Sequence, residues 1–120
     1  MTRNELKQLS APELLDRVRA GYEFGVMHEL LRRLQDPARA PGILKVATRT
    51  MDAGLFAQRL GELRDAAVQG DLRAAVLIVR AVHPVQGLNF RHLLHAVVRS
   101  NDLATITENL RRRTQRTNAQ

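Results

Sequence analysis

Apolar residues recur at spacings of three and four along most of this 120-residue chain, and this period constrains its fold more than any other feature. The pattern is clearest in two clusters, Leu14, Leu15 and Val18, then Leu30, Leu31 and Leu34. No stretch shows the sustained alternation or the enrichment in β-branched residues that is typical of a strand. The sequence therefore predicts an all-α protein, a compact antiparallel bundle of six or seven short helices.

The first helix boundaries can be read from capping residues. Ser10 and Glu13 have the spacing of a capping box, and Pro12 suits the first turn, so a helix is predicted to begin near residue 11. A shorter segment at residues 2–9 has room for one or two helical turns. Gly21 and Gly25 are expected to interrupt or bend the periodic stretch 11–35.

Breaker residues divide the rest of the chain. Two prolines between residues 36 and 41 end the first long stretch, because proline lacks the backbone N–H that a helix interior requires. Gly54, Gly70 and the segment 83–87 separate further segments, and residues 100–102 offer N-cap side chains. The predicted helices are 42–51, 55–68, 71–82, 89–99 and 102–113.

Three glycines share a register. Gly21, Gly54 and Gly87 are each 33 residues apart, which is the length of a helical-hairpin repeat. Some apolar positions follow the same spacing, among them Leu44 and Leu77. Two interpretations stay open: divergent helical-hairpin repeats, or a coincidental spacing in a globular bundle.

The segment 71–82 stands out because it is apolar around nearly its whole circumference between Arg73 and Arg80. A helix with that pattern is normally buried on all sides, so we expect it to be the central and most buried helix. Apolar stripes before and after it complete the predicted core: Leu55, Phe56, Leu60, Leu63, Phe90, Leu93, Leu94, Val97 and Val98.

The net charge of +7 is unevenly distributed. Residues 1–110 hold 15 basic and 12 acidic side chains, whereas residues 111–120 hold four arginines and no acid. We therefore divide the chain into a single all-α domain at 1–110 and a basic, frayed C-terminal tail at 111–120. The tail arginines either complement the negative end of a helix dipole or form a cationic arm that contacts phosphates. The candidate nucleic-acid contacts are Arg91, Arg99, Arg111, Arg112, Arg113 and Arg116.

Residues suited to catalysis or metal binding are scarce. There is no cysteine, and the two serines, Ser10 and Ser100, lie at predicted helix caps. His92 and His95 share a helical face, but no third ligand accompanies them, so exposed histidines are favoured over a metal site. A pH-sensitive contact beside Arg91 is the remaining alternative. The sequence predicts a non-enzymatic protein without catalytic, cofactor-binding or metal-binding residues.

Charged side chains at helical spacing predict solvent-exposed helix faces. On the segment 55–68, the acids Glu62 and Asp65 alternate with Arg59 and Arg64. Glu29 with Arg32 and Arg33 shows the same helical spacing of opposite charges. Such pairs are common on exposed helix surfaces, where they contribute little to stability.

The location of the protein follows from its apolar runs and charges. The longest apolar run has six residues, far below the roughly 18 that a membrane span requires. The first twenty residues are charged throughout, unlike a secretory signal, and we expect a cytoplasmic protein without membrane association.

The favoured function is that of a small interaction module, an adaptor or regulator that binds another protein. Such a module could also bind a second copy of itself. The alternative is a nucleic-acid-binding protein that uses the arginine tail and the adjacent basic face. A contiguous apolar surface patch favours the first function, and a continuous basic stripe favours the second.

Overall fold

The structure is a computed structural model that describes residues 1–50, 53–85 and 87–119, with side chains for all of these except residue 50 and residues 114–119. All regular secondary structure in these ranges is helical. The eight helices are α1 Arg3–Gln8, α2 Ala11–Ala20, α3 Phe24–Gln35, α4 Ala40–Thr50, α5 Ala53–Val68, α6 Leu72–Ala81, α7 Leu88–Val97 and α8 Ser100–Ala119. The all-α prediction is confirmed. There is one helix more than expected because residues 21–23 are not helical and divide the stretch 11–35 in two.

Capping boxes start the first two helices. The Ser10 hydroxyl accepts from the backbone N–H of Glu13, and the Glu13 carboxylate accepts from the backbone N–H of Ser10 at 2.9 Å. Thr2 and Glu5 form the same box at the start of α1. Each box satisfies two amides that have no partner inside the helix. The predicted start of α2 is thus confirmed.

The other predicted bounds lie within two residues of those observed, except at the predicted helix end at residue 51, which lies outside the described residues, and at the C-terminus. There α8 continues to Ala119, six residues beyond the predicted end at residue 113. The backbone of residues 111–119 is therefore a continuation of α8. The division into a domain at 1–110 and a separate tail stays a prediction.

The core has α3 and α5 at its centre, since α3 packs against α1, α2, α4, α5 and α6, and α5 also packs against α6, α7 and α8. On α3, five side chains have no exposed surface: Val26, Met27, Leu30, Leu31 and Leu34. Of the predicted core stripes, Phe56, Leu60, Leu63, Phe90, Leu94 and Val98 are buried, and Leu55, Leu93 and Val97 are half-buried.

The expectation that the segment 71–82 is the central and most buried helix is wrong, because α3 has more buried residues and α3 and α5 lie at the centre. Ala75, Leu77 and Ile78 of α6 are buried, but Val76 is half-buried and Val79 is 43 % exposed. The reason is the position of α6, which packs against α3, α5 and α8 on its inner sides. Within the described ranges these contacts leave the outer face of α6 open, where Leu72, Val76 and Val79 lie beside Arg73 and Arg80.

The three glycines of the 33-residue register occupy different positions. Gly21 follows the last residue of α2, Gly54 lies within α5, and Gly87 precedes α7. Each interval does contain two helices, and α3 packs on α4 as α5 packs on α6. The third pair differs, because α7 packs mainly on α5 while α8 packs mainly on α5 and α6. The repeat therefore stays a hypothesis.

Arginines that were expected on solvated faces are buried at the ends of neighbouring helices. Arg33 is 5 % exposed and donates through Nη2 to the carbonyl oxygens of Leu6, Lys7 and Leu9, at the C-terminal end of α1. Its Nε atom donates to the carboxylate of Glu29, which is 2 % exposed. The prediction of an exposed charged face is wrong here, because α1 covers this side of α3.

The same arrangement recurs on α5 and α8. Arg59, 7 % exposed, donates to backbone carbonyls at the end of α2, and half-buried Arg64 donates through Nη1 to the carbonyl oxygen of Val97 at 2.9 Å. Asn109 on α8 donates to the last two carbonyls of α5. Since the final carbonyls of a helix have no partner within it, these side chains join the helices at points where backbone groups would otherwise be unpaired.

Candidate partner-binding site

A surface groove of about 430 Å³ runs between α3 and α6. The groove is lined by Phe24, His28, Leu72, Arg73, Val76, Leu77 and Arg80. Positions 73, 76, 77 and 80 are three or four residues apart, so they lie on one face of α6, and Phe24 and His28 are one turn apart on α3. The groove is therefore an apolar channel between two helices, with arginines along one wall.

Arg73 is held in place on this wall. The centre of its guanidinium group lies 4.5 Å from the centre of the Phe24 ring, in a cation–π arrangement, and Nη2 lies 3.5 Å from a carboxylate oxygen of Asp71. Arg80, two turns along α6, is exposed and forms no ion pair within the described residues. The two arginines are about 10 Å apart along the helix axis and lie on either side of Val76.

A smaller groove of about 210 Å³ continues on the other side of α3, where Phe24 and His28 also line it together with Met1, Arg3, Leu6, Gly25 and Glu29. Nη2 of Arg3 lies 3.4 Å from Nε2 of His28. A guanidinium group can only donate, so the ring nitrogen accepts and the ring is neutral. Burial and the charge of Arg3 lower the pKa of His28, which agrees with that protonation state.

The carboxylates beside the grooves are already bound. Burial by itself would raise the pKa of Glu29, but hydrogen bonds and charge from Arg32 and Arg33 outweigh burial and hold that pKa below its ordinary value. Asp71 caps α6 by accepting from the backbone N–H groups of Arg73 and Ala74. The rim of the two grooves is therefore positive.

A second apolar groove, of about 450 Å³, lies between α4, α5 and α7. Its lining residues carry no charged group: Leu44, Ala47, Thr48, Ala53, Phe56, Asn89, Phe90, His92, Leu93 and Ala96. Phe56 and Phe90 pack edge to face, with ring centres 5.4 Å apart. At Gly87 an added Cβ would lie 2.8 Å from a methyl group of Leu44, so α4 and the start of α7 are in close contact here.

The predicted nucleic-acid contacts do not form a continuous basic stripe in the described part of the chain. Arg91 is half-buried and donates through Nε and Nη2 to the carbonyl oxygen of Val85 at 3.2 and 3.0 Å. Arg99 is exposed directly before α8, about 18 Å along the helix axis from Arg111. The intervening residues 100–110 include two acids and no base.

The tail arginines lie on the surface of α8. Arg111 and Arg112 are exposed and form ion pairs with Glu108 at 3.4 and 3.5 Å. Arg113 is exposed as well, and the side chain of Arg116 lies outside the described residues. A role for these six arginines in nucleic-acid binding stays a prediction.

The histidines are arranged differently from the expected pair. The ring of His95 lies near that of His83, with centres 6.2 Å apart, while His92 lines the second groove. In the ranges that the structure covers, no three metal-binding side chains come together. Nor is any helix in those ranges both long and apolar enough to cross a membrane.

Comparisons of this chain with protein families, with curated proteins and with solved structures found no match. The fold and its grooves define a small all-α protein with apolar grooves between its helices. The sequence interpretation had missed the α3–α6 groove. The signal was present in the all-round apolarity of the segment 71–82, which had been assigned to the core.

Proposed function

We propose that this chain is a cytoplasmic, non-enzymatic interaction module, an adaptor or regulator that binds another protein in the groove between α3 and α6. The open apolar face of α6 carries the proposal. Leu72 and Val76, which line the groove, are only half-buried, and Val79, one turn beyond Val76, is 43 % exposed. Burying this face against a partner removes apolar surface from water, which is the main driving force of association.

The shape of the groove favours a helix as the bound element. Two helices form its walls, and apolar side chains lie at its base with polar groups along its rim. An amphipathic helix binds such a groove by inserting anchors from successive turns of one face. The half-buried Phe24, at the point where the larger and smaller grooves meet, offers an aromatic contact for such an anchor.

The alternative function, nucleic-acid binding, has less support. Two of its candidate arginines, Arg111 and Arg112, pair with Glu108, and Arg91 is bound to a backbone carbonyl. Without a continuous basic surface, sequence-independent attraction to phosphates is weak. The exposed apolar residues of α6 instead favour a partner with apolar side chains.

The test is capture of partners from a nuclease-treated lysate of the source cell, followed by affinity measurement with the purified candidate. The wild type is compared with Val76→Asn and Leu72→Asn, two neutral changes in the groove, and with Ala104→Asn, a matched change at an exposed position of α8. We expect both groove variants to weaken binding by about tenfold or more, and Ala104→Asn to leave it unchanged.

Two results would overturn the proposal. One is a set of captured proteins that all bind the groove variants as well as the wild type, provided that the variants melt at the wild-type temperature. The other is capture that is observed from an untreated lysate but is lost when the lysate is treated with nuclease. Self-association through the groove would appear as a concentration-dependent dimer in light scattering, and it would replace the heterologous partner with a second copy.

A further inference from the structure

We infer that the helix bound between α3 and α6 is acidic as well as amphipathic, with carboxylates on both sides of its apolar anchors. The inference concerns the same groove and rests on the proposed function. Its basis is charge complementarity with Arg73 and Arg80, which line this groove, and with Arg3 in the adjoining smaller groove.

The rim arginines have a spacing that a helix can match. Arg73 and Arg80 are two turns apart on α6, on either side of Val76. Two acids seven residues apart on a partner helix project from the same face with the same separation of about 10 Å. An apolar residue between them would meet Val76 and Leu77 at the base of the groove.

The positive charge of the groove rim is only partly neutralised by this chain, through the ion pair of Arg73 with Asp71. Arg80 and Arg3 form no ion pair with a carboxylate among the described residues, and Arg3 contacts only the neutral ring of His28. The buried acid Glu29 is bound to Arg32 and Arg33. A carboxylate supplied by a partner thus has the unpaired guanidinium group of Arg80 to bind, whereas a lysine there would meet a charge of its own sign.

One of these arginines is positioned before any partner binds. The contacts of Arg73 with the Phe24 ring and with Asp71 restrict its guanidinium group. A restricted side chain loses less conformational entropy on binding, which favours affinity. Because Arg73 also covers part of Phe24, its charge lies directly beside the site of an apolar anchor.

The experiment uses three synthetic peptides of about 15 residues that share one apolar helical face and differ only in the flanking positions. These positions carry glutamate, glutamine or lysine, and binding to the full chain is measured by fluorescence anisotropy. We expect the glutamate peptide to bind about tenfold or more tightly than the lysine peptide, with the glutamine peptide between them. Raising the salt concentration should narrow the difference, because the charges are partly exposed.

Reversing the charge of one arginine tests whether the preference for acidic peptides arises at the groove. Arg80→Glu is expected to reduce the affinity for the glutamate peptide and to increase that for the lysine peptide. The matched control is Arg17→Glu, the same change at an exposed position of α2, which should alter neither affinity by more than about twofold. Melting curves of both variants exclude unfolding as the cause.

Equal binding of the three peptides, or an equal response to both charge variants, would overturn the acidic preference. So would the absence of binding by the glutamate peptide. None of these results touches the proposed function, which is decided by the neutral groove variants Val76→Asn and Leu72→Asn. Conversely, discrimination among the peptides without groove-dependent capture from the lysate would show that the groove selects acidic helices but does not hold a cellular partner.

Discussion

The Nε atom of Arg59 donates a hydrogen bond to the backbone carbonyl oxygen of Val18 over 2.7 Å, joining residues 41 positions apart in the chain. Nη2 of the same side chain donates to the carbonyl oxygen of Arg19 at 3.1 Å, and Nη1 to the carboxylate of Glu62 at 3.0 Å. One guanidinium group thus satisfies the end of α2 and fixes α2 against α5. With 17 arginines among 19 basic residues, the chain has many side chains of this kind.

Replacing Arg59 by leucine should lower the free energy of unfolding by about 3 kcal/mol, because two buried carbonyls lose charged donors. Urea denaturation measures the change. The control is Arg17→Leu on α2, at an exposed position, with an expected effect below about 0.5 kcal/mol. Equal effects of the two substitutions would show that the bonds from Arg59 contribute no more than a surface charge.

The Glu29 carboxylate is expected to stabilise the fold in a pH-dependent way. Arg32 and Arg33 hold its pKa in the folded state below the ordinary value of 4.5, so the unfolded chain takes up this proton first as the pH falls. The stabilisation is present above about pH 4.5 and is lost as the pH falls through the folded-state pKa. We expect Glu29→Gln to destabilise the protein at pH 7 by about 3 kcal/mol, since it leaves a buried guanidinium group without its charge partner.

The measurement is the difference in unfolding free energy between the wild type and Glu29→Gln from pH 7 to pH 3. It should shrink as the pH falls. A constant difference over this range would contradict the assignment.

His28 should also make stability depend on pH, but at a higher pH than Glu29, and through its neutral form. Burial and the charge of Arg3 lower its pKa from 6.5, with further lowering from Arg32 and Lys7 and an opposing effect of Glu29. The unfolded chain therefore binds the proton first, and the wild type should lose stability as the pH falls below about 6.5. Thermal melts between pH 7.5 and 5.5 should show a smaller pH dependence for His28→Asn. Parallel curves for the two proteins would be the contrary result.

Gly87 is required where α7 starts. Its φ of 88° lies in the left-handed region, and an added Cβ would be 2.8 Å from the Leu44 side chain. We expect Gly87→Ala to lower the free energy of unfolding by about 1–3 kcal/mol. Gly42→Ala is the matched control, because an added Cβ on this exposed residue of α4 meets nothing within 4 Å and should be neutral or stabilising. A neutral Gly87→Ala variant would mean that the Leu44 contact is easily rearranged.

The arginine tail provides the test of nucleic-acid binding. Because Arg111 and Arg112 are paired with Glu108, we expect no detectable binding of a random duplex of about 20 base pairs at about 50 mM salt. An arm with all four tail arginines on phosphates would instead give a log–log salt slope of about −3.6. Binding with that slope, abolished by deletion of residues 111–120, would favour the alternative function.

Local sequence was sufficient for the helices. The capping pair Ser10 and Glu13, and the breakers at 36–41, act over a few residues, so their effects are predictable without knowledge of the fold. The apolar period of three and four likewise predicts helices, because it reflects the geometry of a single helix. The bounds of α5, α6 and α7 follow from these signals to within two residues.

The sequence could not predict which charged residues are buried. Arg59 and Glu62 have the spacing of an exposed ion pair, and the same is true of Glu29 and Arg33. Their burial depends on where another helix ends, at α2 for Arg59 and at α1 for Arg33. That position is set by packing between segments 24 to 41 residues apart, and no local pattern encodes it.

The accessible surface of the candidate site also depends on the tertiary structure. The sequence by itself determined that a helix forms within residues 71–82, rich in apolar side chains and with Arg73 and Arg80 seven residues apart. Only the tertiary structure decided which faces are covered, because α3, α5 and α8 pack on the inner sides and leave Val79 exposed. A helix specifies its own surface pattern through its period, whereas the covering of that surface depends on the number and placement of neighbours, which is a property of the whole chain.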